Sequence, residues 1–104
     1  MVWDVRFLPN PYYVADLKAG TGLQKPVACF VLENDVGREF LRLFEPFLEF
    51  LLAGHEKSGR DEIRLAVGCT GGKHRSVAVT DHLRSFFIKR FPELDVYHRD
   101  IDKK

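Results

Sequence analysis

The sequence predicts an α/β fold in which a small, mostly parallel sheet is flanked by helices. Short runs of strand length, at residues 2–8, 63–67 and 94–97, alternate with segments whose apolar residues recur at helical spacing. A strand, a crossover helix and a second strand return the chain in the same direction, so the neighbouring strands are expected to run parallel. The length of 104 residues fits a single domain spanning residues 1–104.

The first strand is predicted over residues 2–8, where apolar and charged residues alternate in the letters DVRF at residues 4–7. The segment Pro9-Asn10-Pro11 ends this strand because its two prolines fix two φ angles and remove two backbone donors. We expect a shaped loop through Tyr13, and the letters KAGTG at residues 18–22 predict a second loop.

Two helices are predicted next. Pro26 suits the first turn of a short helix that Asn34-Asp35 ends. Residues 36–53 then show the spacing of a core helix, which Pro46 is expected to kink or divide. The letters GHEKSGR at residues 54–60 predict a turn after it.

A buried central strand is predicted at residues 63–67, and it leads directly into the letters GCTGGKHRS at residues 68–76. An amphipathic helix follows from Val77 to Arg90, and Pro92 ends it. Residues 94–97 are predicted to form a last strand, and residues 98–104 a polar tail.

Composition excludes several classes of protein. With 45% apolar and 30% charged residues, and a formal net charge of +1, the chain is neither disordered nor strongly basic. Its two cysteines, Cys29 and Cys69, lack the spacing of a zinc site or a disulfide scaffold. No apolar run approaches the length of a membrane span, and no export signal is visible. We therefore expect a cytoplasmic protein with no membrane partner, no metal and no cofactor.

The glycine-rich loop at residues 68–76 carries the main functional prediction. Its glycines allow the backbone N–H groups to surround a ligand, and a helix N-terminus adds positive partial charge. Lys73 and Arg75 supply cations, while Thr70 and Ser76 supply hydroxyl donors, which is the inventory of a phosphate or carboxylate site. A plain strand-to-helix turn capped by Ser76 is the alternative, but it leaves the two cations unexplained.

Ligands of parallel sheets bind at the carboxyl ends of the strands, so this edge should also gather residues 4–12 and 98–100. Nucleotide motifs do not match the loop. Val67 stands where a Walker A motif needs its first glycine, His74 follows Lys73, and GxGxxG is absent.

A cysteine phosphatase loop fits the letters better, since Cys69, five residues, Arg75 and Ser76 read Cx5R(S). Arg75 and the helix dipole would lower the pKa of the thiol, with Asp4 or Asp100 as the acid. Gly68 before the cysteine and the bulky Lys73-His74 argue against this alternative. The plainer interpretation of Cys69 is a small residue that closes a strand.

Four segments resemble the C-terminal domain of the RapZ/YvcJ family of RNase adapter proteins. They are DVRFLPNPY at residues 4–12, Thr21-Gly22, GCTGGKHRSV at residues 68–77 and His98-Arg99-Asp100. The resemblance covers nearly the whole chain. Family members carry an N-terminal P-loop nucleotide-binding domain in addition, so we expect residues 1–104 to be either the separated C-terminal domain of a longer protein or a shortened relative.

The resemblance implies a sensor and adapter without turnover, with a fold similar to half of a phosphofructokinase. Such a domain binds glucosamine-6-phosphate, and it binds a small regulatory RNA that is presented to an endoribonuclease. Carried onto this sequence, the ligand-binding residues are Asp4, Arg6, Asn10, Thr70, Gly71, Gly72, Lys73, His74, Arg75, Ser76, His98 and Arg99. Arg6 has a second possible role, which is to brace Asp4.

The RNA-binding residues expected from charge are Lys89, Arg90, Lys103 and Lys104. They form a modest patch, because Asp100 and Asp102 lie close to the terminal lysines. A solvated helix end explains Lys89 and Arg90 equally well. An uncovered part of the aromatic stripe in the core helix would form a dimer face, so a homo-oligomer is expected.

Overall fold

A two-stranded parallel sheet organises the chain. The computed structural model describes residues 1–60 and 62–102. Strand β1 (Val2–Asp4) pairs with β2 (Ala66–Gly68), with Val2 opposite Ala66 and Asp4 opposite Gly68. The Val5 N–H donates to Gly68 O at 2.9 Å and extends the ladder by one bond. The prediction of an α/β fold with a parallel sheet and flanking helices is confirmed, but the predicted buried central strand at residues 63–67 is wrong, because β2 covers only Ala66–Gly68, is partly exposed and pairs with β1 alone among the described residues.

β1 is shorter than predicted because Asp4 turns the chain. Its carboxylate accepts the Arg6 backbone N–H at 3.0 Å, and the Leu8 N–H donates to Val5 O at 3.1 Å. These bonds replace a continued ladder with a turn. Val5 and Leu8 enter the core, whereas Phe7 is 55% exposed, so the predicted alternation through Leu8 is wrong.

Two helical pieces lie in the segment expected to be loop, a 3₁₀ turn at Pro11–Tyr13 and the four-residue α1 (Ala15–Lys18). Helix α2 (Lys25–Leu32) follows, and Asn34 joins it to α3 (Asp35–Lys57). The Asn34 Oδ1 caps α3 by accepting the Gly37 N–H at 2.8 Å, while its Nδ2 donates to two carbonyls at the end of α2.

Helix α3 is longer than predicted. It continues through Pro46 without dividing, and it passes Gly54 to end at Lys57, so the predicted division and the turn from residue 54 are wrong. Pro46 is exposed, so the carbonyl that loses its helical donor there can be satisfied by water. The packed face, which includes the buried Phe44 and Leu48, holds the helix together.

Helix α4 (Arg75–Phe87) is the most buried element, and every residue from Arg75 to Val79 is buried. It packs on α2 and on the end of β1, where Val5, Val31 and Val79 share the core. The helix starts two residues before the predicted Val77 and ends before Arg90.

Residues 94–98 have no regular secondary structure, so the predicted strand at residues 94–97 is wrong. The Asp95 carboxylate accepts the Val96 N–H at 3.0 Å, a local bond that competes with strand pairing. Among the helices of the described residues, none is both long and apolar enough to cross a bilayer.

Candidate functional site

The glycine-rich loop joins the carboxyl end of β2 to the N-terminus of α4, at the sheet edge that the sequence predicts. Gly71 and Gly72 have φ values of 81° and 67°, in the left-handed region that other residues rarely adopt. His74 occupies the N-cap position of α4 and makes no side-chain capping bond. The loop therefore ends at a helix N-terminus without a side-chain cap from its N-cap residue.

Arg75 connects this loop to the chain after β1. Its Nη1 donates to Arg6 O at 2.6 Å and to Leu8 O at 3.3 Å. The residue is only 5% exposed, and its Nε is buried with no hydrogen-bond partner. Both bonds go to neutral carbonyls, and within residues 1–60 and 62–102 no carboxylate forms an ion pair with Arg75.

Asp4 and Arg6 form an exposed pair beside this contact. The Arg6 Nη2 lies 2.7 Å from the Asp4 Oδ2, and the Arg6 Nε donates to the same carboxylate at 2.9 Å. The structure thus shows Arg6 bracing Asp4. The side-chain and backbone hydrogen bonds from Arg6 hold the pKa of Asp4 below its ordinary value, and the charge of Arg75 acts in the same direction.

Asn10 has a structural contact of its own. Its Oδ1 accepts the Tyr12 N–H at 3.1 Å and caps the 3₁₀ turn at Pro11–Tyr13. The bond uses one acceptor of the side chain, and the residue is half-buried. Asn10 therefore shapes the loop that follows β1.

Residues 18–22 lie against the other side of the loop. His74 is 8% exposed, and its Nε2 lies 2.9 Å from Lys18 O, a contact in which the imidazole must donate. The Gly22 N–H donates to Lys73 O at 3.0 Å. A Cβ at Gly22 would overlap Ala78 N and His74 O, so only glycine fits this approach.

The segment at residues 98–100 reaches the loop through Asp100. A Cβ built on Gly72 would lie 3.0 Å from the Asp100 Cβ and 3.1 Å from its Oδ2. Arg99 pairs with this carboxylate at 3.0 Å and is otherwise exposed, and His98 is half-buried. Asp100 is not among the predicted ligand residues. Gly72, which has no side chain and so leaves room for Asp100, is the sequence signal that could have indicated this contact.

Cys69 lies at the base of the loop. Its Sγ accepts the Ser76 N–H at 3.3 Å and is 3.3 Å from the Ser76 hydroxyl. Burial raises the pKa of the thiol, but hydrogen bonds from Ser76 and Gly72 and the charge of Arg75 outweigh it, so the pKa falls below the ordinary thiol value. Of the other loop residues, Thr70 and Gly71 are exposed and Lys73 is half-buried.

Comparison with known proteins decides the family. The model of the RapZ C-terminal domain family matches residues 1–102. The chain belongs to the RapZ C-terminal domain family. Its relatives include proteins named nucleotide-binding protein from Geobacter sulfurreducens, 48% identical over 99% of this chain, and from Geotalea daltonii, 46% identical over 99%. Another, from Lactiplantibacillus plantarum, is 44% identical over the full chain.

The chain spans 36% of the length of the first two relatives and 35% of the length of the third. The family assignment therefore concerns the matched part of those proteins. Within it, the structure brings together the segments that carried the resemblance, namely residues 4–12, Thr21-Gly22, the loop and Asp100.

The residues predicted to contact RNA are less clearly grouped than the residues of the loop. Lys89 is exposed in the turn after α4. The Arg90 Nη1 donates to Glu49 Oε1 at 2.8 Å, so one cation of the patch is already paired with α3. Lys103 and Lys104 lie outside the described residues.

The ion pair of Asp4 and Arg6 predicts how the stability of the domain depends on pH. Because the folded pKa of Asp4 is lowered, its contribution to stability is present above the unfolded pKa and is lost as the pH falls through the folded pKa. An NMR titration of the Asp4 carboxyl should give a pKa below the ordinary value of an aspartate, and Arg6→Met should raise that pKa. Arg42→Met, which removes the partner of Glu39, is the matched control and should leave Asp4 unchanged.

Proposed function

We propose that the domain binds an amino-sugar phosphate, glucosamine-6-phosphate, at the loop of residues 68–76 and acts as the sensor of a regulatory adapter. One observation carries the proposal: Arg75 is a buried cation without an ion-pair partner in the described chain. A buried charge costs several kcal/mol unless an opposite charge accompanies it. A bound anion supplies that charge.

The free donor of Arg75 also favours phosphate over a small halide. Guanidinium groups bind phosphate through two parallel N–H bonds, and the Nε that such a fork uses has no partner here. Nη1 is already held by the carbonyls of Arg6 and Leu8, which fixes the guanidinium in advance. A positioned donor loses little conformational entropy when it binds.

The surroundings suit the rest of the ligand. Gly71 and Gly72 turn the backbone so that N–H groups and the α4 N-terminus can reach the phosphate. Lys73 adds a cation, and Thr70 is exposed to donate a hydroxyl. On the sugar side, the Asp4 carboxylate suits an ammonium or hydroxyl group.

Calorimetric titration tests this proposal with glucosamine-6-phosphate, inorganic phosphate, glucosamine and a nucleoside triphosphate. We expect micromolar binding of the amino-sugar phosphate, weaker binding of phosphate and none of glucosamine. Lys73→Ala should weaken binding about 5- to 10-fold, the effect of one partly exposed charge worth roughly 1 kcal/mol. Lys57→Ala, at the far end of α3, is the control. No heat with any of the compounds overturns the proposal.

A cysteine-dependent phosphatase is the second candidate, favoured by the contacts of Cys69 with Ser76. The thiol would attack a phosphoryl group held by the loop. Phosphate release from a phosphate monoester that Cys69→Ser abolishes would establish this activity. A sensor would show no release above the Cys69→Ser background.

The adapter part of the proposal concerns RNA and protein partners. We propose that exposed Lys89 and neighbouring basic residues contact a small regulatory RNA, and that the RNA is presented to an endoribonuclease. Self-association is proposed through the uncovered apolar residues of α3, of which Phe50 is 74% exposed. The nucleotide in the relatives' names is included among the titrated ligands, because the matched part covers only about a third of each relative.

A further inference from the structure

Cys69 takes the place of a helix cap. The N-cap residue His74 provides no side-chain acceptor, and the Ser76 N–H in the first turn of α4 donates to the Cys69 Sγ instead. The Cys69 thiol in turn donates to the Ser76 Oγ at 3.3 Å. A helix N-terminus and a backbone N–H donor favour negative charge on the sulfur that they face. The geometry therefore favours the thiolate form of Cys69.

A second observation places an anion-binding group beside this sulfur. Arg75 is only 5% exposed, and its buried Nε has no hydrogen-bond partner among the described residues. Its charge lies close enough to lower the pKa of Cys69 and of Asp4. The Cys69 thiol and the cation proposed to hold the phosphate therefore lie within reach of each other's charge, in the same loop.

We propose that Cys69 is a peroxide-sensitive thiol whose oxidation closes the anion site. This step rests on the proposed function, because it assumes that the loop binds a phosphate. The Cys69 thiolate attacks one oxygen of a peroxide, the O–O bond breaks, and hydroxide leaves and takes up a proton. The sulfur is oxidised by two electrons to a sulfenic acid and the peroxide is reduced. The added oxygen occupies space at the base of the loop.

Cys29, the other cysteine of the chain, serves as an internal control for Cys69. It is also half-buried, but its pKa is raised by a hydrogen bond with Glu33, by burial and by the charge of Glu33. The pKa values of the two thiols are therefore shifted in opposite directions, although both residues are half-buried. If exposure alone governed their oxidation, they would react at similar rates.

The first experiment compares the two thiols on the reduced, full 104-residue chain. Hydrogen peroxide with a sulfenic-acid trap, and separately iodoacetamide between pH 5 and 9, are followed by peptide mass spectrometry. We expect Cys69 to react at least about tenfold faster than Cys29 at pH 7, consistent with a larger thiolate fraction. Saturating glucosamine-6-phosphate should slow Cys69 and leave Cys29 unchanged, because coupling between two sites is reciprocal. Equal rates at the two cysteines overturn the proposal.

The second experiment measures binding before and after peroxide. Treated Cys29→Ser protein should lose binding as the treated wild type does, whereas Cys69→Ser should give the same affinity with and without treatment. Retained affinity after complete modification of Cys69 overturns the closure step. If the reduced wild type binds no anion, the proposed function fails and the closure step fails with it, while the rate comparison still decides whether Cys69 is the reactive thiol.

Discussion

An Arg75→Met domain is expected to lose at least about 30-fold in affinity for glucosamine-6-phosphate, since truncating a buried charged partner costs roughly 2–5 kcal/mol of binding. The methionine fills similar space but has no donor for a phosphate. Titration calorimetry measures the loss. A domain that keeps its affinity within threefold would show that Arg75 only links α4 to the chain after β1.

The stability of the same variant should change little without ligand. Removing the bonds to Arg6 O and Leu8 O costs about 1–3 kcal/mol, but removing an uncompensated buried charge returns a comparable amount. Ligand at 100 times the wild-type Kd should stabilise the wild type by about 2.7 kcal/mol and the variant by less than about 1 kcal/mol. Urea unfolding with and without the ligand measures both quantities.

Two further variants separate the charge from its geometry. Arg75→Lys keeps the cation but lacks the planar fork, so its affinity should lie between those of the wild type and Arg75→Met. Arg84→Met changes an exposed arginine of the same helix and should leave binding unchanged. Binding by Arg75→Lys as tight as the wild type would contradict the bidentate contact.

Gly22→Ala is expected to destabilise the domain strongly. The added Cβ would overlap backbone atoms Ala78 N and His74 O, which cannot move without shifting the first turn of α4. Overpacking of this kind costs about 1–3 kcal/mol and more when backbone must yield. For a domain of this size, 2–3 kcal/mol lowers Tm by roughly 10 °C. Differential scanning calorimetry measures the shift.

Gly54→Ala is the matched control for this substitution. Gly54 lies inside α3 with nothing within 4 Å of an added Cβ. Alanine is the better helix former there, so the variant should gain about 0.5–1 kcal/mol. Because the changes in stability are expected to have opposite signs at Gly22 and Gly54, comparing the two variants isolates the effect of the close backbone approach at Gly22. A similar Tm for both variants would mean that residues 18–22 can separate from α4.

Local signals in the sequence were enough to predict helices α2, α3 and α4 and the glycine-rich loop, but not the two short helical pieces at Pro11–Tyr13 and Ala15–Lys18. Asn34 predicted the break between α2 and α3, and the glycines before His74 predicted a strand-to-helix loop. The end of α3 was missed, because the helix tolerates the exposed Gly54 and ends only where the Ser58 N–H and hydroxyl donate to Gly54 O and His55 O. Residues 94–97 were misassigned because apolar letters alone do not provide a neighbouring strand.

The candidate site was predicted as a group of segments, whereas individual contacts were not. Charge and motif identified Arg75, but its bonds to Arg6 O and Leu8 O depend on the relative position of chain segments nearly seventy residues apart. The burial of His74 against Lys18 O depends on the fold in the same way. Sequence patterns report residue type and spacing, and these contacts require the assembled tertiary structure.

The pairing of β1 with β2 has a consequence for synthesis on the ribosome. The paired residues Val2 and Ala66 are 64 positions apart, so the first strand is translated long before its partner exists. At about 5–20 residues per second, that interval lasts roughly 3 to 13 s. Helices α2 and α3 can form from local contacts during this time. The sheet and the bonds that Arg75 makes to residues 6 and 8 must wait, so the proposed anion site is among the last parts of the domain to be completed.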